Sequence, residues 1–151
     1  CRQEAQREEN GRARGERRPA EAVADFTRSL ELDPTQANAW TGRGLAYEKL
    51  RQPEQAVADT SRAVELNPKG ANAWHNRGVV LNRLGRRDEA VAAFREAVDR
   101  KPDLAAARYS LGLALHDAGD AAGARAQYQA LLESDTNLAN QLRLRLEPAA
   151  R

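Results

Sequence analysis

Between Trp74 and Asp103 the apolar side chains recur at helical intervals in two runs. In the first, Trp74, Gly78, Leu81 and Leu84 are spaced three and four residues apart and share one helix face. Leu84-Gly85-Arg86-Arg87 interrupts the run, and Gly85 is free to adopt the left-handed conformation that closes a helix. In the second, Ala90, Val91, Phe94, Ala97 and Val98 share a face. Lys101-Pro102-Asp103 stops it, because proline cannot continue a helix. Gly78 and Ala90 have almost no side chain and allow the two helices to approach where they cross. Trp74 and Phe94 fill the wider gaps at either end.

The same frame returns at a fixed interval. Trp40 and Trp74 are 34 residues apart, as are Gly44, Gly78 and Gly112; Ala22, Ala56, Ala90 and Ala124; and Pro34, Pro68 and Pro102. One period shared by four residue types marks an array of small units. A lone helical pair cannot bury both faces, so neighbours must stack. The pattern predicts helices over 19–32, 37–50, 53–66, 71–84, 87–100, 105–118 and 121–133, antiparallel because the connections are short. The expected partition is a charged leader or degenerate first helix (1–18), the second helix of a partial repeat (19–36), repeats at 37–70, 71–104 and 105–138, and a capping helix and tail (139–151). In the cap, Leu138, Leu142 and Leu146 make one stripe while Arg143 and Arg145 stay outside, the polar outer face that a terminal helix needs. The array is expected to end at this cap and to be incomplete at its other end.

A 34-residue helix–turn–helix unit with Trp, Gly, an aromatic or Leu, Ala, an aromatic and Pro resembles the tetratricopeptide repeat (TPR). The residues that carry the resemblance are Trp40, Gly44, Tyr47, Ala56, Ala63 and Pro68 in one copy. In the next they are Trp74, Gly78, Leu81, Gly85, Ala90, Phe94, Ala97 and Pro102. A third copy has Leu111, Gly112, Leu115, Gly119, Ala124 and Tyr128. The resemblance implies an all-α fold, a right-handed superhelix (α-solenoid) of antiparallel helix pairs. There are departures. Arg43 and Arg77 stand where the family usually has Leu, Arg108 where it often has Trp, Thr60 in place of an aromatic, and Thr136 in place of the closing Pro. The arginine stems are expected to pack while their guanidinium groups reach water.

Composition narrows the picture only at the ends of the chain. With 24 basic and 22 acidic side chains in 151 residues, the net charge of +2 gives no strong pull toward nucleic acid or anionic membrane. No apolar run approaches the roughly 18 residues of a membrane span. Residues 1–18 are strongly charged with mixed sign and cannot bury enough surface to hold a fold. Gly11-Arg12-Ala13-Arg14-Gly15 suggests RNA binding, but five acidic residues lie within the first 21, which favours a solvated leader. The chain has no Met and begins with Cys1, so it reads as a fragment or a processed chain. Cys1 is then a fragment boundary, an inconsequential thiol, or the lipid-modified first residue of a bacterial envelope lipoprotein. The expected location is the cytoplasm, or the cell envelope in the last case.

Chemistry is sparse. His75 and His116 are the only histidines, they lack the i, i+4 spacing of a helical metal site, and both lie on first helices away from the Trp74 side. Ser110 beside His75 would provide a nucleophile and a base, but no nucleophile elbow or Gly-rich oxyanion loop accompanies them. Gly42-Arg43-Gly44 falls inside a predicted helix with no strand before it, so it is not a dinucleotide fingerprint. We expect no enzyme activity, no metal and no cofactor.

What remains is the surface that stacking creates. At about 100° per residue, Asn72, His75, Val79, Asn82 and Arg83 share an arc opposite Trp74, Gly78 and Leu81. The equivalent arcs are Asn38, Thr41, Leu45, Glu48 and Lys49, and Ala106, Tyr109, Leu113, His116 and Asp117. Stacking sets first helices side by side on a concave face where solenoids bind extended partners, and the resemblance implies a peptide or partner helix here. Asn38 and Asn72 repeat in register, and a ladder of carboxamides can hold a peptide backbone of any sequence. The plainer alternative is that Asn suits helix starts.

Some TPR co-chaperones clamp a C-terminal carboxylate with Lys, Asn, Asn, Lys and Arg on successive first helices. The matching positions are Thr41, Leu45, Asn76, Ala106 and Ser110, or, one copy earlier, Arg7, Gly11, Gly42, Asn72 and Asn76. Neither register supplies the required cationic cluster, and a carboxylate without one is held weakly, so no such clamp is expected. RNA-reading helical repeats usually have a 35-residue period and a groove more basic than Glu48, Lys49, Arg83 and Asp117 provide. The expected function is a protein–protein interaction module or scaffold. The alternative is a structural or oligomerisation segment of a larger protein.

Overall fold

A computed structural model describes residues 18–147. The expected leader therefore lies outside the described residues, apart from Arg18, and so does the tail beyond Glu147. Among the described residues every regular element is a helix. In chain order they are α1 (residues 18–32), α2 (Ala37–Lys49), α3 (Pro53–Leu66), α4 (Ala71–Arg83), α5 (Arg87–Arg100), α6 (Ala105–Asp117), α7 (Ala121–Ser134) and α8 (Thr136–Leu146). The chain divides into two compact units, Cys1–Asn67 and Pro68–Arg151.

The turn inside each helix pair follows one scheme. Gly85 N–H donates to Asn82 O and Arg86 N–H to Leu81 O, both at 3.0 Å, which satisfies two of the carbonyls orphaned at the end of α4. The same pair of bonds closes α2 through Arg51 and Gln52, and α6 through Gly119 and Asp120. The scheme needs a left-handed residue, and Gly85 (φ 74°) and Gly119 (φ 85°) supply it without a Cβ penalty. Arg51 (φ 58°) adopts the same conformation despite its side chain.

In the first unit, α1 packs on α2 through the Phe26 ring, which occupies the space a Cβ at Gly42 would need. Between α2 and α3, a Cβ at Gly44 would lie 2.8 Å from Thr60 Cγ2 and 3.2 Å from Ala56 O. The small Thr60 thus keeps this crossing tight, and its hydroxyl donates to Ala56 O at 2.7 Å. Arg43 corrects the expectation of a guanidinium reaching water. Its Nε and Nη2 donate to Asp59 at 2.7 and 2.9 Å, and its Nη1 donates to Thr27 of α1 at 3.2 Å. The two side chains are only 15% and 6% exposed. The guanidinium also stacks over Trp40, 4.7 Å from the ring centroid. Arg in place of Leu therefore comes with its own carboxylate and its own aromatic face.

In the second unit, α4 pairs with α5 and α6 with α7. A Cβ at Gly78 would sit 2.6 Å from the Phe94 ring, so glycine there admits the aromatic side chain of the paired helix. Leu81, Phe94, Ala90 and Ala97 are buried, whereas Trp74 is half-buried and Leu84 is exposed at 36%. Leu84 leaves the core because it is the residue that caps α4. The last connection departs from the others. With Thr136 where proline stood before, Asp135 alone joins α7 to α8, and its carboxylate accepts from Leu138 N–H at 3.0 Å as the N-cap of α8. The cap helix therefore starts at Thr136, earlier than expected. Leu142 and Ala139 are fully buried with Leu131, and Leu142 closes over Gly112.

Candidate functional site

In the second unit α4 and α6 lie beside one another, joined by a 3.1 Å hydrogen bond between His75 Nε2 and Ser110 Oγ. The His75 ring is half-buried and tilted at 42° against Phe94, 5.7 Å between centroids. Burial alone lowers its pKa from the ordinary histidine value. Among the described residues no carboxylate touches it, so this pair lacks the acid that orients a catalytic histidine. Ser110 does stand beside His75, and their bond links α4 to α6. His75 thus reaches further toward the core than a position away from the Trp74 side suggested.

Around that contact, Asn72, Asn82 and Arg83 of α4 are exposed and Val79 is half-buried. On α6, Ala106, His116 and Asp117 are exposed, while Tyr109 and Leu113 are half-buried. Tyr109 and Leu113 pack against the Leu131–Ala139–Leu142 cluster, so α8 has taken part of the apolar surface of this arc. The α2 arc belongs to the first unit. There Asn38 and Lys49 are exposed, and Thr41, Leu45 and Glu48 are half-buried, with Thr41 donating to its own helix at Ala37 O.

The asparagines are not caps. The N-cap positions are Gln36, whose side chain makes no capping bond, and Gly70, which has no side chain. Asn38 and Asn72 sit one turn position inside their helices, exposed, and neither carboxamide bonds another described residue. Both stand in the first turn of their helices with donors and acceptors facing solvent.

A cavity of about 440 Å³ opens between the end of α6, the first half of α7 and the end of α8. His116, Ala124, Arg125, Tyr128, Arg143 and Leu146 contribute to its wall. From sequence, Tyr128 and Ala124 read as repeat packing and Leu146 as the cap stripe. The only available signal was a pair of cations, Arg125 and Arg143, on helices assigned to packing. The return of α8 alongside α7 brings them to one opening. Among the described residues no group of three or more His, Cys, Asp or Glu is placed to hold a metal ion, and no helix is long and apolar enough to cross a membrane.

Two family models described as tetratricopeptide repeat match the sequence, one at residues 43–105 and again at 78–139, the other at 26–58. No curated protein matches it. Among solved structures, MamA is 28% identical with a TM-score of 0.72, the match covering 81% of this chain and 71% of MamA. YrrB, described as a TPR protein with an unusual peptide-binding site, is 23% identical with a TM-score of 0.67, covering 85% and 69%. The Arabidopsis OM64 TPR domain is 23% identical with a TM-score of 0.66, covering 73% and 93%. The last two likenesses are likenesses of fold.

Proposed function

Because the chain belongs to the tetratricopeptide repeat family, we propose that it is a non-catalytic protein-interaction scaffold whose first helices hold an extended peptide or a partner helix. The observation that carries this reading is the state of the asparagines. Asn38, Asn72 and Asn82 are exposed on first-helix arcs, and Asn38 and Asn72 are not used as caps. Exposed carboxamides contribute little to folding, but they can pair with the N–H and C=O groups of an extended backbone. Half-buried Val79 beside Asn82 offers a partly covered apolar contact for a peptide side chain. The two cations of these arcs, Lys49 and Arg83, are matched in number by the acidic Glu48 and Asp117, which argues against a nucleic-acid groove.

A photo-crosslinking amino acid at Asn72 or Val79 tests the reading when the protein is incubated with cell extract. Discrete adducts that disappear in the Asn72→Ala, Asn82→Ala background, at unchanged helicity, support it. Adducts that persist there, or none at all, reject the first-helix surface as the binding site.

One observation favours a second reading, that of a structural or oligomerisation segment. Leu144 is 66% exposed on the face of the cap helix expected to be polar. An apolar side chain there suits the stacking of a further copy. Concentration-dependent self-association that Leu144→Ser abolishes would favour this role.

A further inference from the structure

We propose that the cavity between α6, α7 and α8 is a binding subsite for an acidic side chain of a partner peptide flanked by an apolar one. The site goes beyond the first-helix surface and does not depend on it. Its volume of about 440 Å³ falls in the range of pockets that enclose small ligands, about 300–1,000 Å³. Its floor is apolar, with Ala124 fully buried and Leu146 and Tyr128 half-buried. Its rim carries Arg125, Arg143 and His116 together with the carboxylate of Glu147. Arg143 donates to Glu147 at 3.1 Å and is largely compensated by it. Arg125 is exposed and has no carboxylate partner among the described residues. The acid that starts the same helix, Asp120, is engaged as a cap by the Gly123 N–H at 2.8 Å.

An incoming carboxylate therefore meets a guanidinium that no described carboxylate compensates, and its planar fork suits bidentate pairing. The Tyr128 hydroxyl makes no hydrogen bond to another described residue and adds a second donor. An inorganic anion would use the rim and leave the floor wet. A neutral apolar group would leave Arg125 without a counter-charge. A peptide bearing an acidic residue beside an aromatic or aliphatic one uses both, which is the chemistry this cavity selects.

The test is an NMR titration of the ¹⁵N-labelled full chain with two probes, N-acetyl-Phe-Glu-amide and N-acetyl-Phe-Gln-amide, each to about 10 mM, the range of weak single-side-chain binding. The glutamate probe should bind about threefold or more tighter than the glutamine probe, as one partly exposed ion pair allows. Its shifts should centre on Ala124, Arg125, Tyr128 and Arg143. Arg125→Gln should erase the preference while helicity is unchanged, and Asn72→Ala with Asn82→Ala should leave it intact. Equal binding of the two probes, shifts centred on Asn72 and Val79, or no shifts at all would each overturn the proposal. The second of these outcomes would leave the first-helix reading standing.

Discussion

The indole N–H of Trp74 and the guanidinium Nε–H of Arg108, one repeat apart, make the same hydrogen bond. Trp74 donates to the Pro68 carbonyl at 3.0 Å and Arg108 to the Pro102 carbonyl at 2.6 Å. Trp40 makes it too, to Pro34 at 2.8 Å. The position therefore selects a donor that ties the first helix to the preceding turn. Arg108 meets that requirement without an aromatic ring, its Nη1 reaching Gln127 of the paired helix at 3.3 Å.

Removing the donor while keeping bulk should show its worth. Trp74→Phe and Arg108→Met should each lower stability by about 1 kcal/mol, the usual net value of such a bond. Urea denaturation followed by circular dichroism measures both. A change near zero in Arg108→Met would show that Arg108 acts only as bulk.

The Arg43–Asp59 pair should behave as a buried ion pair. Asp59→Ala alone leaves a mostly buried guanidinium uncompensated and should cost about 3–5 kcal/mol. Arg43→Leu together with Asp59→Ala should recover most of that loss, since Leu is the family's residue at Arg43. Thermal melts of the single and double variants decide it. A double variant no better than Asp59→Ala would contradict the account.

Arg51 occupies the left-handed position that Gly85 and Gly119 fill in the other turns. A side chain there costs about 1–2 kcal/mol. Arg51→Gly should therefore stabilise the protein by about 1 kcal/mol net of the greater freedom of unfolded glycine, read as a higher urea midpoint.

His75 should make stability depend on pH. Its folded-state pKa lies below the unfolded value of about 6.5, so between the two the unfolded chain binds more protons. Stability is full above about pH 6.5 and falls as pH drops through that window. His75→Gln should flatten the dependence. Denaturation midpoints from pH 8 to about pH 5 supply the comparison.

The cap should prove asymmetric. Leu142 is fully buried over Gly112 and Leu144 is 66% exposed. Leu142→Ala should cost about 2–5 kcal/mol, and Leu144→Ser should change monomer stability by less than about 0.5 kcal/mol. Equal effects would mean that α8 packs by its other face.

Much of this was legible in the residues. The period of Gly, Ala and Pro determined helix pairs, their ends to within a residue or two and the family, because core spacing and turn chemistry are local properties. Gly85 announced the helix-closing turn, and Leu142 the buried stripe of the cap.

What tertiary packing decided was the partner of each irregular residue. No local pattern says that Arg43 will find Asp59, 16 positions on, or that Arg108 will take over the bond of a tryptophan. Nor does it show that Tyr109 and Leu113 will be partly covered by α8, or that Arg125 and Arg143 will frame one cavity. Periodicity reports which face of a helix turns inward. Which side chains then meet depends on where separate helices cross, and that is set by packing over the whole unit.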